Sequence, residues 1–238
     1  VLEIGAGLGS LTAPLAQRVK RVYALEIDPQ LAEALRDRFS GVEPVEVILG
    51  DALQFDFVPL CQKWERKIKV VANLPYEISS PMIFRLLEER ESFSLFVLML
   101  QLEVARRLVA RPGTRDYGPL SVWSKLYTRA TIAFSLGPKA FHPPPKVESA
   151  VVKLEVLPQP RAAVEDEKTL QEVIRSAFTY RRKTLSKALQ MGSFAHLSRK
   201  EIQEAVVGSG IPFQARGETL TLEQFCDLAR FLSKQKVA

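Results

Sequence analysis

The sequence predicts an α/β fold: a mostly parallel sheet covered by helices, followed by a small all-helical domain. Three observations predict it. Over the first 157 residues, short apolar runs of strand length alternate with amphipathic helical stretches. The glycine-rich turn Gly5-Ala6-Gly7-Leu8-Gly9 follows the first apolar run and opens a helix, where a Rossmann-like, nucleotide-binding sheet carries its ligand loop. After Leu157-Pro158-Gln159-Pro160 the periodicity is helical only.

In chain order, residues 1–4 read as a strand, 11–18 as the first helix and 22–26 as the second strand. Asp28-Pro29 sets a capping residue before a proline at the first helical position, so a helix is expected over 29–39. Segments 45–49 and 69–72 are further strands. Ser80-Pro81 repeats the cap-plus-proline signal and predicts a helix over 82–89. Residues 94–100, rich in Leu and Phe, read as a strand buried on both faces. Alternation with β-branched residues over 126–135 and 148–156 predicts a closing antiparallel pair. Ser198 with Glu201 and Thr221 with Gln224 fit capping boxes, while Gly208, Gly210 and Pro212 break the helices between them. The expected organisation is a cofactor-binding catalytic domain over 1–157, a linker over 158–167 and a basic helical domain over 168–238.

Composition sets the outer limits. The chain has 238 residues, 47% hydrophobic and 25% charged, ordinary for a globular protein with a full core. Cys61 and Cys226 are too few for a disulfide scaffold and are not spaced as a metal site, so no metal is expected. No apolar run approaches the roughly 18 residues of a membrane span, so no membrane partner is expected either. The net charge of +6 is unevenly distributed: residues 168–238 hold 12 Lys and Arg against 6 Asp and Glu, and the remainder is balanced. A neutral front and a basic back point to a polyanionic partner. Val1 is not Met and stands in a strand already under way, so an upstream segment is expected to be missing.

The glycine turn selects the cofactor. A dinucleotide fingerprint, G-x-G-x-x-G, would place its third glycine at position 10, which is Ser; the glycine comes one residue early. G-x-G-x-G after a strand carrying Glu3 is the form that binds S-adenosylmethionine, and Gly5 and Gly7 let the backbone approach it. Glu26, ending the second strand, is placed to accept both ribose hydroxyls. Asp51, followed by Ala52, is placed to accept from the exocyclic amine of the cofactor's adenine, and Ile27 offers that ring an apolar face.

Asn73-Leu74-Pro75-Tyr76 closes the fourth strand at the carboxyl edge, where open α/β sheets place their ligands. These residue types suit methyl transfer to an exocyclic aromatic amine. Such an amine is a poor nucleophile because its lone pair is drawn into the ring. Two acceptors on its protons, the Asn73 side-chain oxygen and the Leu74 carbonyl, hold it pyramidal. Pro75 biases Leu74 to an extended geometry, and Tyr76 offers a flat face for a base. No strong general base is required, and the two histidines, His142 and His196, stand apart from one another in sequence.

Together Asn73-Leu-Pro-Tyr76, Phe141-His-Pro-Pro-Pro-Lys-Val-Glu-Ser149, Gln101-Leu-Glu-Val-Ala-Arg-Arg107 and Phe178-Thr-Tyr-Arg-Arg-Lys-Thr-Leu185 resemble the ribosomal RNA adenine dimethyltransferase family over essentially the whole chain. Leu74, the loop from Arg111 to Gly118 and Gly217-Glu-Thr-Leu220 favour the branch acting on small-subunit rRNA; the macrolide-resistance enzymes acting on large-subunit rRNA usually carry Ile in place of Leu74. The resemblance implies dimethylation at N6 of two adjacent adenosines near the 3′ end of 16S rRNA in the small ribosomal subunit, by a cytoplasmic monomer in ribosome biogenesis. It implies cofactor contacts at Gly5, Gly7, Glu26, Asp51 and Asn73, a base held by Asn73, Leu74 and Tyr76, and Phe141 covering the base's other face. Arg106, Arg107, Arg111, Arg115, Arg181, Arg182 and Lys183 are the candidates for RNA phosphates. Glu77 departs from the Asn frequent in the family and sets a negative charge beside the target pocket. Relatives carry a segment ahead of the first strand that helps cover the cofactor, so weak cofactor binding is expected of this chain. The competing readings are a large-subunit rRNA methyltransferase, an N6-adenine DNA methyltransferase and a non-catalytic assembly or transcription factor on the same fold.

Overall fold

The computed structural model describes residues 1–63 and 66–235, and the chain divides into two compact units. The first, residues 1–106 with 128–157, is built on a seven-stranded sheet. Its strands are β1 (Leu2–Ile4), β2 (Val22–Glu26), β3 (Val45–Leu49), β4 (Ile68–Asn73), β5 (Phe93–Gln101), β6 (Thr128–Leu136) and β7 (Ser149–Val156), in the order β3-β2-β1-β4-β5-β7-β6. The first five run parallel; β7 is antiparallel to β5 and β6 to β7. The helices are α1 (Thr12–Ala16), α2 (Pro29–Arg38), α3 (Val58–Gln62) and α4 (Ser79–Glu88). The sheet is an α/β, Rossmann-like one, as the strand and helix alternation predicts.

Burial explains the central strands. Every residue of β1 and β2 is buried, which requires cover on both faces, whereas edge strand β3 is only partly buried. The chain steps outward from β1 to β2 to β3, then returns to the far side of β1 to lay down β4. This reversal opens a crevice at the carboxyl ends of β1 and β4, the topological switch point. Antiparallel β7 starts beside the carboxyl end of β5, where Ser149 pairs with Gln101, so the loop between β6 and β7 lies at the same edge.

Helix signals divide into those the structure follows and those it overrides. Asp28 caps α2 as expected, its carboxylate accepting from the amides of Gln30 (2.8 Å) and Leu31 (3.2 Å). Ser80 does not cap α4. The helix starts at Ser79, three residues before the expected start at 82, and the Ser79 hydroxyl donates back to the Pro75 carbonyl at 3.0 Å, so Pro81 falls within the first turn, where its missing amide costs nothing. Three helices were not expected: α3, α5 (Leu102–Val109) and α6 (Pro119–Tyr127). The alternation over 126–135 draws Leu126 and Tyr127 into a strand, but they finish α6, whose start is marked by Gly118-Pro119.

The second unit comprises 107–127 and the chain from 158 onward, so the division departs from a linear boundary at 157; residues 236–238 of the expected helical domain lie outside the described residues. Residues 107–127 cluster with the later helices because α6 buries seven of its nine side chains, and it packs on α7 (Glu167–Thr179) and α10 (Leu222–Gln235). Between the latter two lie α8 (Leu185–Met191) and α9 (Arg199–Gly208). Both expected capping boxes form, at Ser198/Glu201 and Thr221/Gln224. Buried Tyr117 donates to the Leu220 carbonyl at 2.9 Å and meets Phe178 edge to face, which in turn stacks on Phe225. The Gly113 amide donates to the Glu218 carbonyl at 2.7 Å. The loop from Arg111 to Gly118 and the segment from Gly217 to Leu220 are therefore two halves of one latch.

The buried Tyr117 hydroxyl gives the latch a direct test. Tyr117→Phe keeps the ring packing and orphans a carbonyl, an expected cost of about 1–3 kcal/mol. Urea unfolding followed by tryptophan fluorescence (Trp123 stacks on Tyr127 in the same unit) should show a lower midpoint.

Candidate active site

The glycine turn lies at the carboxyl end of β1. Gly5, Gly7 and Gly9 all have positive φ, at 71°, 55° and 81°. A Cβ on Gly7 would meet nothing within 4 Å, and one on Gly5 would come no nearer than 4.0 Å, to the Asn73 carbonyl, so both face open space. Gly9 does something else: a Cβ there would strike Phe39 and Leu35 at 2.6 and 2.7 Å, so this glycine lets the turn pack on α2. The turn is held by Glu26, which is 5% exposed. Its Oε2 accepts from the Gly7 amide (2.8 Å) and its Oε1 from the amides of Ile27 (2.9 Å) and Asp28 (3.0 Å). Of about four lone-pair sites on a carboxylate, three are used, which leaves room for one further donor rather than the two ribose hydroxyls expected from sequence.

The other two acids differ in role. Asp51 is half-buried; its Oδ1 accepts from the Leu53 amide (2.9 Å) and its Oδ2 from the Gln54 side chain (3.0 Å), with Ala52 buried between. Arg85 braces the segment that follows, donating to the carbonyls of Leu53 and Phe55 while its guanidinium lies over the Phe57 ring. Glu3 is 2% exposed and lies within β1, where its Oε2 accepts from the Thr12 hydroxyl at 2.6 Å and ties the strand to α1. Burial pushes its carboxyl up to about 7, the Thr12 hydrogen bond opposing that rise and the Glu26 charge adding to it. The expectation that Glu3 contacts the cofactor thus gives way to a buried brace beneath the turn. Ile27, by contrast, is 63% exposed beside Glu26, an apolar face with no partner in the fold.

Asn73 ends β4 one residue beyond the last β1 partner, Ala72, and is exposed. The Leu74 amide donates to the Met99 carbonyl at 3.2 Å, which fixes the peptide, and its side chain is 1% exposed. Pro75 turns the chain, its carbonyl accepting from the Ile78 amide and the Ser79 hydroxyl. Among the described residues nothing donates to the Leu74 carbonyl or bonds the Asn73 side chain, so two acceptors stand unpartnered at the switch point. Tyr76 is half-buried, and its hydroxyl shares a 2.8 Å hydrogen bond with the hydroxyl of Ser149, itself fully buried at the start of β7. Ser149 escaped the functional reading of the sequence; its place eight residues after Phe141, in the same conspicuous motif, was the available signal. Phe141 follows the 3-10 turn Pro138–Ala140 and is half-buried in the β6–β7 loop. No ring contact joins it to Tyr76 among the described residues. Glu77 is exposed on the turn after Tyr76.

The chain matches the family described as "Ribosomal RNA adenine dimethylase" over residues 1–234. It is 44% identical over 234 residues to the ribosomal RNA small subunit methyltransferase A of Caldanaerobacter subterraneus subsp. tengcongensis, covering 98% of this chain and 86% of that one. The chain belongs to the ribosomal RNA adenine dimethylase family. Two solved structures agree: a dimethyladenosine transferase from Plasmodium falciparum (TM-score 0.80, 28% identity, 99% of this chain and 90% of that one) and the 23S rRNA methyltransferase ErmE (TM-score 0.68, 27% identity, 98% and 90%).

As a member of this dimethylase family the chain is an rRNA adenine methyltransferase whose methyl donor is S-adenosyl-L-methionine. The residues present fit that cofactor: open space before Gly5 and Gly7, spare acceptor capacity on Glu26 and an uncovered apolar side chain at Ile27. Among the described residues no helix is long and apolar enough to cross a membrane, and no group of His, Cys, Asp and Glu is placed to hold a metal ion.

The predicted phosphate contacts separate in the structure. Arg106 and Arg107 are exposed on α5 rather than in a loop, and Arg111 and Arg115 are exposed after it. Arg182 and Lys183 are exposed in the turn before α8. Arg181 is engaged within the dimethylase's second unit: it forms an ion pair with Glu218 and donates to the carbonyls of Thr114 (3.4 Å) and Arg115 (2.9 Å). It is a clasp of the latch, and its guanidinium is committed there.

Two outcomes follow. Ser149→Ala frees the Tyr76 ring, so KM for RNA should rise several-fold with a smaller fall in kcat, and Tyr76→Phe should add little to that loss; steady-state kinetics on the double variant checks both. Because the folded Glu3 carboxyl sits near 7 against its ordinary 4.5, the folded protein binds the extra proton between those values, and stability falls as pH rises through them. Glu3→Gln should match the parent near pH 4.5 and exceed it above pH 7 in urea unfolding.

Proposed function

We propose that the chain dimethylates N6 of two adjacent adenosines near the 3′ end of 16S rRNA in the small ribosomal subunit, as a cytoplasmic, monomeric enzyme of ribosome biogenesis. The observation that carries the chemistry is the pair of unpartnered acceptors, Asn73 Oδ1 and the Leu74 carbonyl, at the switch point beside the open faces of Gly5 and Gly7. The choice of small-subunit RNA rests on the 44% identity to a small subunit methyltransferase A along nearly the whole chain.

S-adenosyl-L-methionine, when bound, supplies an electrophilic methyl group. In the first transfer the two acceptors take hydrogen bonds from the two N6 protons, and in the second one of them takes the single N–H that remains; each time the nitrogen is held pyramidal with its lone pair toward that methyl. The rigid peptide matters because catalysis here is orientation, and the Leu74 amide bond to β5 fixes the peptide that joins the two residues carrying the acceptors. As the new N–C bond forms, the donor's S–CH3 bond would break with its electron pair staying on sulfur as a neutral thioether, and the amine, cationic at that point, releases a proton to solvent, so no buried base is needed. Tyr76 stacks against one face of the base and Phe141 covers the other. Gly5, Gly7, Glu26, Ile27, Asp51 and Ala52 line the cofactor's place, and Arg106, Arg107, Arg111, Arg115, Arg182 and Lys183 take backbone phosphates. Extrusion of the target base costs a few kcal/mol, less in a loop than in a duplex.

The structural likeness to ErmE supports a second reading, methylation of large-subunit RNA. Labelled methyl transfer to undermethylated small subunits and to 23S rRNA, followed by nucleoside analysis, separates the two. N6,N6-dimethyladenosine in the small-subunit RNA alone is the expected result; label confined to 23S rRNA overturns it. Asn73→Ala should lower turnover by at least about 100-fold, the scale of losing one preorganised hydrogen-bond partner, with RNA affinity held within about twofold; undiminished turnover would remove Asn73 from the mechanism.

A further inference from the structure

The second unit contains a cleft of about 320 Å³ between α8 and α9, remote in sequence from the glycine turn and from Asn73-Leu-Pro-Tyr76. Ser186, Lys187 and Gln190 share one face of α8, while Leu185, Ala188 and Leu189 are buried on the other. Arg199 and Gln203, one turn apart, present the facing side of α9, and Ile202 between them is buried at 1% exposure. The opposite rim is Phe213, a ring left 46% exposed.

The polar groups of this cleft are not employed by the fold. Among the described residues the side chains of Lys187, Gln190, Arg199 and Gln203 make no hydrogen bond or ion pair. The Thr184 hydroxyl, at the N-cap of α8, makes no capping bond, and the Ser186 hydroxyl is buried without a partner. A hydroxyl buried without a partner is a cost to the fold, not a gain. Among the described residues no acidic side chain lines the cleft: Glu201 is taken up by the Ser198 capping box and Glu204 pairs with Lys200. Two unpaired cations, amides and hydroxyls beside one exposed aromatic ring match a phosphate, a sugar and a base together. The volume lies at the lower end for small-ligand sites, the size of one nucleotide rather than of a folded helix.

We propose that this cleft is an accessory site for one unstacked nucleotide of single-stranded RNA, its base against Phe213 and its phosphate between Lys187 and Arg199. The inference rests on the reading of the chain as an rRNA-modifying enzyme and adds to it a contact site separate from the target adenine's. Arg182 and Lys183 immediately precede Thr184 in the chain, which continues the basic track up to the cleft.

The probe is a short oligouridylate, single-stranded and without a target adenine, with binding to the full chain followed by fluorescence anisotropy through a salt titration. Lys187→Ala with Arg199→Ala should weaken binding about tenfold at low salt and flatten the slope of log K against log salt by about 0.7, the loss of one neutralised phosphate. Phe213→Ala should weaken binding by about 5- to 100-fold with the slope unchanged, and Phe213→Trp should restore it. The same Phe213→Ala change should leave binding to a blunt RNA duplex unaffected, since paired bases have no free face. Cleft variants that bind as tightly as the parent, or a Phe213→Ala loss equal on duplex and single strand, overturn the cleft assignment while leaving the enzyme reading intact. If the parent chain binds neither this probe nor ribosomal RNA, the enzyme reading fails as well. Unchanged thermal unfolding of the exposed-residue variants establishes that the comparison is between folded proteins.

Discussion

Parallel pairing of β4 with the free side of β1 is the constraint on which the first unit depends. Because β1 receives β2 on one side and β4 on the other, the connections leaving β1 and β4 diverge, and the crevice between them is left open. β1 stops one residue short of Asn73, so the glycine turn begins where β4 still has a polar side chain to present. The nearest approach of a Cβ on Gly5 to the Asn73 carbonyl, 4.0 Å, expresses the same fact in atomic terms. The glycine turn and the acceptors of Asn73 and Leu74 are brought together by strand order, before any individual contact is considered.

Around that crevice, polar groups fall into two populations. Glu3, Glu26 and Asp51 are largely consumed in shaping the loops, accepting from Thr12, from three backbone amides, and from Leu53 and Gln54. Asn73 and the Leu74 carbonyl are held in place but left unbonded. Satisfied acceptors make the frame stiff, and unsatisfied ones at the solvent edge retain their full strength for a ligand. The proposed catalysis by orientation needs both kinds.

The sequence made the sheet legible because its signals are local: period-2 runs, the G-x-G-x-G turn, and the Asp28-Pro29 cap. The placement of Glu26 and Asn73 at strand ends was legible for the same reason. What escaped was set by partners distant in sequence. Ser149 matters through Tyr76, 73 residues away, and Arg181 is tied to Glu218 and to the loop at Thr114 and Arg115. The basic run at 181–183 reads as uniform in sequence, yet one of its three members is folded inward. Helix α6 was lost because its last two residues also fit the alternation of the strand that follows. Ser80 was misread because a serine nearer the turn could bond back to Pro75 and begin the helix earlier.

The interleaving of the two units sets an order on synthesis. Helix α6 leaves the ribosome with Leu120, Val122, Trp123 and Leu126 bound for a core that does not yet exist, because its packing partners α7 and α10 lie about 50 and 100 residues downstream, several seconds of elongation at roughly 5–20 residues per second. The strands of the first unit, complete at Val156, can close before that. The nascent chain must therefore carry an exposed amphipathic helix while about 100 further residues are made, and emergence of α10 completes its cover. A cut at residue 157 would make this transient condition permanent, leaving a folded sheet with an unsheltered α6.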